Sequence, residues 1–196
     1  MLHMVYGGSA SGKSSYAESI AMSLQGDGRL LYIATMYPYK WGKAELDPET
    51  MQRIERHRAM RADKGFDTVE CYRHVEHIVA KRQDVLLLEC MSNLLANEMY
   101  LEPDSNAGSD MAETMSPVSN KIVQALVNLS TRVQDVVIVT NDVFTDGGSL
   151  TYDESTREYV KNLAEINCAL AREAATVTEV VCGIPVIVKK NHPMGK

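Results

Sequence analysis

A strand, a glycine-rich turn and a helix follow one another at the start of this chain, and no other stretch restricts the fold as much. Gly7-Gly8-Ser9-Ala10-Ser11-Gly12-Lys13-Ser14 fits G-x-x-x-x-G-K-[ST] at every fixed position. The apolar run 2–6 precedes it, and residues 15–24 follow with Ala17, Ile20, Ala21 and Leu24 at helical spacing before Gln25-Gly26-Asp27-Gly28 stops the pattern. That is the setting a phosphate-cradling loop needs. Glycines let backbone N–H groups close on phosphate oxygens, the helix N-terminus adds positive potential, Lys13 bridges terminal phosphates and Ser14 offers a hydroxyl to Mg²⁺. A nucleoside triphosphate is therefore the expected ligand, against the bland alternative of a Gly/Ser-rich turn that matches by chance. By itself the loop names a nucleotide and no reaction.

With 196 residues, 45% of them hydrophobic, the chain has material for one α/β domain over residues 1–190, followed by a short tail, 191–196. A net charge of -6 argues against a protein that holds nucleic acid through its overall field, whereas a small anionic ligand needs only a local basic pocket. The four cysteines, Cys71, Cys90, Cys168 and Cys182, include no C-x-x-C pair, so buried reduced thiols are expected rather than a zinc site or a disulfide framework. No apolar run approaches the length of a membrane span, and the N-terminus lacks the pattern of a signal peptide, which places the chain in the cytoplasm as an expectation.

Leu30-Leu31-Tyr32-Ile33-Ala34 is an apolar run of strand length, and Thr35 follows at its carboxyl end, where open α/β sheets place ligand groups. Residues 37–46, with Pro38, Trp41 and Gly42, have no period and read as a loop. Asp47-Pro48-Glu49 is an N-cap followed by proline at the first helical position, and it predicts a helix to about Ala62. On that helix Arg53, His57 and Arg61 recur every four residues and share a face, flanked by Arg56 and Arg58. Spacing alone favours a solvated basic face with an incidental histidine. The functional alternative is a neutral imidazole nucleophile beside guanidiniums that stabilise phosphate charge.

Residues 66–71 predict a strand, 75–81 a short helix, and Val85-Leu86-Leu87-Leu88 a buried strand ending in Glu89. In a phosphate-loop protein a carboxylate there is placed to hold Mg²⁺ directly or through water; the alternative is an ordinary strand-end acid. Residues 102–115 are acidic and aperiodic, a surface-loop pattern, and Ser116-Pro117 opens a helix ending near Arg132. A third buried strand over 136–140 ends at Asn141-Asp142 and leads into a loop through Gly147-Gly148. Residues 157–174 read as a helix, and 177–182 with 186–189 as a closing hairpin divided by Gly183-Ile184-Pro185.

Taken in order, the phosphate loop, Tyr32-Ile33-Ala34-Thr35, Arg53-Ile54-Glu55-Arg56-His57-Arg58, Glu70-Cys71, Leu87-Leu88-Glu89-Cys90 and Val139-Thr140-Asn141 make the chain similar to a known family. It resembles the bifunctional adenosylcobinamide kinase and adenosylcobinamide-phosphate guanylyltransferase of cobalamin biosynthesis over most of its length. The resemblance implies a RecA-like α/β fold with a mostly parallel central sheet, often assembled as a trimer, hence a homo-oligomer. It implies that His57, the match to the family's guanylylated histidine, is catalytic together with Lys13. Residues Gly7 to Ser14, Ala34, Thr35, Met36, Arg58, Ala59, Met60, Arg61, Glu70 and Glu89 fall where the family binds GTP, with Mg²⁺ expected at Ser14 and Glu89. Departures lie after Asn141, where the family usually continues Glu-Val-Gly-x-Gly-x-Val-Pro and this chain has Asp142-Val143-Phe144-Thr145-Asp146-Gly147-Gly148, and at Ala164-Glu165, where Gly-Arg is usual.

The implied chemistry uses two phosphates of one cradled nucleotide. In the kinase step the terminal hydroxyl of the cobinamide side chain takes the γ-phosphoryl group of ATP or GTP. In the transferase step His57 attacks the α-phosphorus of GTP, pyrophosphate leaves, and cobinamide phosphate displaces GMP from the histidine to give adenosylcobinamide-GDP. Glu70 or Glu89 can accept both guanine N–H edges, a pairing adenine does not supply. Two other readings compete: a simple small-molecule kinase in which His57 only contacts phosphate, and a RecA-like nucleotide sensor that signals by shape.

Overall fold

The computed structural model describes residues 1–40, 42–101, 118–142 and 152–191. Seven strands, β1 (Leu2–Gly7), β2 (Leu30–Ala34), β3 (Phe66–Glu70), β4 (Val85–Leu88), β5 (Asp135–Asn141), β6 (Thr176–Val181) and β7 (Ile184–Lys190), join in one sheet of order β3-β2-β4-β5-β1-β6-β7. All pairings are parallel except β6 with β7. A parallel sheet needs cover on both faces, which is why β4 is a continuous apolar run rather than an alternating one. Leu86 and Leu88 face one side with α3 (Met91–Tyr100), α4 (Val118–Arg132) and α5 (Glu154–Glu173) packed over them through Leu94, Leu126 and Leu163. Val85 and Leu87 face the other, where α1 (Lys13–Leu24) lays Ala17 and Ala21. No helix among the described residues is long and apolar enough to cross a membrane.

The remaining helix, α2 (Pro48–Arg61), begins as its sequence dictates: Asp47 accepts a hydrogen bond from Thr50 N at 3.3 Å, with proline in the first turn. It buries only Arg61 fully. Several elements differ from their sequence patterns. The helix expected over 75–81 is a single 3₁₀ turn, Val75–His77, which Ile78 ends in extended conformation. Helix α5 starts three residues before Arg157, at Glu154, because Asp153 caps it through Thr156 N at 2.7 Å. The hairpin turns on Cys182 (φ 49°) and Gly183 (φ 81°), so Pro185 sits inside the edge strand β7, where no ladder partner asks for its missing N–H. Cys168 and Cys182 are exposed, not buried, while all four thiols are free. Trp41, the 102–115 and 147–148 loops and Ser116-Pro117 lie outside the described residues.

Candidate active site

The phosphate loop connects β1 to α1 and is shaped by backbone. Gly12 takes φ +91°, a left-handed conformation open to glycine, and a Cβ on Gly7 would lie 2.5 Å from the Val180 carbonyl oxygen. Ser11 N donates to Gly8 O at 3.3 Å, Tyr16 N to Gly12 O at 3.1 Å, and Gly183 N in the β6–β7 turn to Ser11 O at 2.8 Å. The hairpin therefore braces the loop from outside. Gly8, Ser9, Ala10 and Ser14 stand exposed along it, and Lys13 folds inward with Nζ donating to Gly8 O at 2.9 Å. Burial holds the Lys13 ammonium below its usual pKa, with the neighbouring Cys90 sulfur opposing the shift. The Ser11 hydroxyl is buried against Gly7 without a hydrogen-bond partner.

Beyond β5 and β4 lies a second site, a pocket lined by Ala34, Met36, Ile54, His57, Arg58, Arg61, Thr68, Glu70, Tyr72 and Glu89. Strand register builds it. Ala34 pairs with Glu70 across β2 and β3, while Glu89 N donates to Ile33 O at 3.1 Å, so three strand ends finish at one level. Helix α2 closes the side by presenting Ile54, His57 and Arg61; Arg53, expected on the same face, is exposed and away from the pocket. Ala59 and Met60 also point outward, Met60 being 60% exposed.

The two acids occupy different surroundings. Glu70 is half exposed and engaged at the rim, accepting from Arg58 Nη2 at 2.6 Å and from the Tyr72 hydroxyl at 2.9 Å. Glu89 is nearly buried at the floor; Oε2 accepts from Thr35 N at 3.0 Å, and Oε1 faces His57 Nδ1 at 3.9 Å. Thr35 is wholly buried, and its polar groups bond within the protein: Oγ1 donates to Cys90 O at 3.1 Å, and its carbonyl accepts from Asn97 Nδ2 at 2.8 Å. It is thus a strut under Glu89, while its neighbours Ala34 and Met36 form the wall.

Arg61 lies with its guanidinium carbon 3.4 Å from the centre of the Tyr32 ring, a stacked cation–π contact, and its Nε and Nη1 are buried without a hydrogen-bond partner. A buried guanidinium with unpaired donors draws an anion. The Tyr32 hydroxyl is pushed up in pKa by burial and then by the Glu89 carboxylate beside it. Ile54 and Tyr32 belong to the sequence motifs without being expected site residues, and Thr68 and Tyr72 join the pocket with no motif to announce them. Tyr32 is buried within the continuous apolar run of β2, and Thr68 is exposed on the edge strand β3, so no alternation in the sequence marks either one. For a cation, Ser14 presents an exposed hydroxyl oxygen beside Lys13. Among the described residues, the metal-like group His74, Glu76 and Glu98 lies elsewhere, and the Lys121 ammonium already sits 3.1 Å from Glu98 Oε2.

A cradle for a triphosphate thus shares one end of the sheet with a histidine flanked by guanidiniums and a carboxylate. Residues 3–188 match the family model described as cobinamide kinase / cobinamide phosphate guanyltransferase. The chain belongs to this family. It is accordingly a kinase and nucleotidyltransferase of cobalamin biosynthesis. The bifunctional adenosylcobalamin biosynthesis protein CobU of Escherichia coli (strain K12) is 31% identical over 198 residues, covering 96% of this chain and all of the relative. The protein of the same name from Salmonella typhimurium (strain LT2) is 30% identical, with 96% of this chain and all of the relative covered. Two solved structures share the fold alone: an ATPase domain (TM-score 0.53, 13% identity, 99% of this chain and 78% of that one) and a Pyrococcus horikoshii OT3 protein solved as Project ID PH0250 (TM-score 0.50, 9% identity, 97% and 87%). The ATPase domain agrees with the RecA-like architecture that the family resemblance implies.

Proposed function

We propose that the cradle holds the nucleotide phosphates in both reactions and that His57 carries GMP in the second. The observation that supports this most is the His57 ring in a pocket walled by Arg58, Arg61 and Glu89. In the kinase step the terminal hydroxyl oxygen of adenosylcobinamide bonds to the γ-phosphorus as the bond to the bridging oxygen breaks. Lys13 and the N–H groups of Gly8 to Ser14 hold the nucleotide diphosphate that leaves. In the transferase step His57 bonds to the α-phosphorus of GTP and pyrophosphate departs into the same cradle. The oxygen of adenosylcobinamide phosphate then displaces the imidazole. Ser14 would hold Mg²⁺, which would supply neutralisation of phosphate charge. The Arg61 donors serve the charge that develops on the α-phosphate. Glu70, reachable at the rim, is the better placed acid for a guanine edge.

Intact-mass measurement after incubation with GTP and Mg²⁺ tests this reading. Wild-type protein is expected to gain one GMP, labile to acid and stable to base, and to release one pyrophosphate per GMP bound. His57→Ala should gain none and still phosphorylate adenosylcobinamide, since that step passes through no histidine adduct. A label on another residue, or none on the wild type, sinks the reading in favour of a simple kinase.

A further inference from the structure

Resting on that reading of His57, we propose that Glu89 is the positioning residue of the nucleophile: its carboxylate keeps the imidazole proton on Nδ1, so that Nε2 meets the α-phosphorus with a free lone pair. Glu89 is fixed on three counts. Its backbone N–H is tied to Ile33 O, its Oε2 accepts from Thr35 N, and its side chain is only 9% exposed at the pocket floor. The other oxygen, Oε1, faces His57 Nδ1 at 3.9 Å, on a carboxylate that the Tyr32 hydroxyl also approaches. Among the described residues no other carboxylate comes within ion-pair reach of that ring. The gap is about an ångström longer than a hydrogen bond, the kind of approach that closes when substrate seats the ring.

An imidazole carries its proton on whichever nitrogen meets an acceptor, and the other nitrogen becomes the nucleophile. Carboxylates hold ligand and catalytic histidines in this way. The electrons balance. The Nε2 lone pair forms the N–P bond, the α-phosphorus releases the bridging oxygen with its electron pair to pyrophosphate, and the ring becomes cationic with its proton still on Nδ1. Glu89 then faces that cation. When the cobinamide phosphate oxygen attacks, the N–P electrons return to Nε2 and the neutral ring is restored. This assigns Glu89 a task distinct from gripping guanine or metal, both of which would show as lost affinity.

The test is Glu89→Gln. Glutamine can keep the bond from Thr35 N through its amide oxygen, which turns its NH₂ toward His57 Nδ1 and drives the proton to Nε2, the wrong nitrogen. At saturating GTP, guanylylation should slow by roughly 10²- to 10⁴-fold, by analogy with a triad carboxylate replaced by its amide, a loss that weaker nucleotide binding does not produce under saturation. In ¹⁵N-labelled protein the His57 signals, assigned against His57→Ala, should report an Nδ1–H tautomer in the wild type and Nε2–H in the variant. This spectrum reads the role even if the variant is less stable. An unchanged guanylylation rate, an Nε2–H tautomer in the wild type, or a loss of GTP affinity that accounts for the lost rate each overturns the proposal. Wild-type protein that shows the Nδ1–H tautomer yet forms no adduct overturns the reading beneath it, and the proposal with it.

Discussion

The cradle and the histidine pocket stand at the same end of one sheet and are built in opposite ways. In the cradle, eight contiguous residues from Gly7 to Ser14 supply the glycines, the cation and the hydroxyl, and the rest of the chain only braces them, chiefly through Gly183 N on Ser11 O. In the pocket, β2, α2, β3 and the end of β4 each contribute side chains, and His57 comes to face Glu89 although 31 residues lie between them in the sequence. The cradle works through backbone N–H groups that every residue but proline possesses; the pocket works through a few side chains whose partners must arrive from elsewhere. A local motif can therefore be recognised alone, but the pocket exists only when β2 lies between β3 and β4.

The sharpest way to separate the two is Lys13→Ala. It removes the cradle's buried cation and leaves the backbone donors, so turnover of adenosylcobinamide to its phosphate should fall by about 10²- to 10³-fold. The Arg61–Tyr32 stack and the Glu89–His57 approach should persist, since Lys13 touches neither. Titration with GTP alongside steady-state phosphorylation decides it; unchanged affinity and turnover together would make the loop match decorative.

A smaller effect should come from below β4, the strand that carries Glu89. Asp84 is fully buried and accepts from Arg29 N at 3.0 Å, Lys81 N at 2.8 Å and Arg29 Nη2 at 2.6 Å. Burial alone would raise its pKa, yet these bonds hold it below the usual carboxylate value. A depressed folded value means that its stabilisation is complete above the unfolded value of about 3.9 and is lost as pH falls through that value toward the folded one. Asp84→Ala strands two backbone N–H groups and should cost about 2–4 kcal/mol at neutral pH. Urea melts from pH 7 to pH 3 should converge for the two proteins at the acid end, and parallel curves would remove Asp84 as the cause.

The smallest change expected is at the rim. Arg58 and Glu70 are each half exposed, and their pair is solvated, so Arg58→Ala should alter stability by no more than about 1 kcal/mol. It also frees Glu70 to reach a base, so KM for GTP should move by less than about tenfold while kcat for phosphorylation holds. A large loss of stability would show the rim to be structural rather than open to ligand.

Legibility in the sequence follows the same division. The phosphate loop, the start of α2 at Asp47-Pro48 and the buried runs of β2, β4 and β5 were readable because each is encoded by neighbours in the chain. Helix α3 went unread: it starts at Cys90 with no capping side chain, directly after an apolar strand, so Met91, Leu94 and Leu95 extend a hydrophobic stretch instead of announcing a new period. On α2 a four-residue spacing named Arg53, His57 and Arg61, whereas the docked helix turns Ile54, His57 and Arg61 inward. Helical periodicity defines several candidate faces, and only packing chooses one.

The sequence by itself determined the phosphate-loop turn between β1 and α1, because glycine conformations and helix-end N–H groups are local properties of eight residues. Which acid faces the histidine was decided by tertiary structure alone. Glu70 and Glu89 both end parallel strands flanking β2 and look alike in the chain. The fold leaves Glu70 in water beside Arg58 and carries Glu89 down to Thr35 N and the His57 ring. Burial and a backbone donor give the second carboxylate a fixed direction, and strand order supplies both.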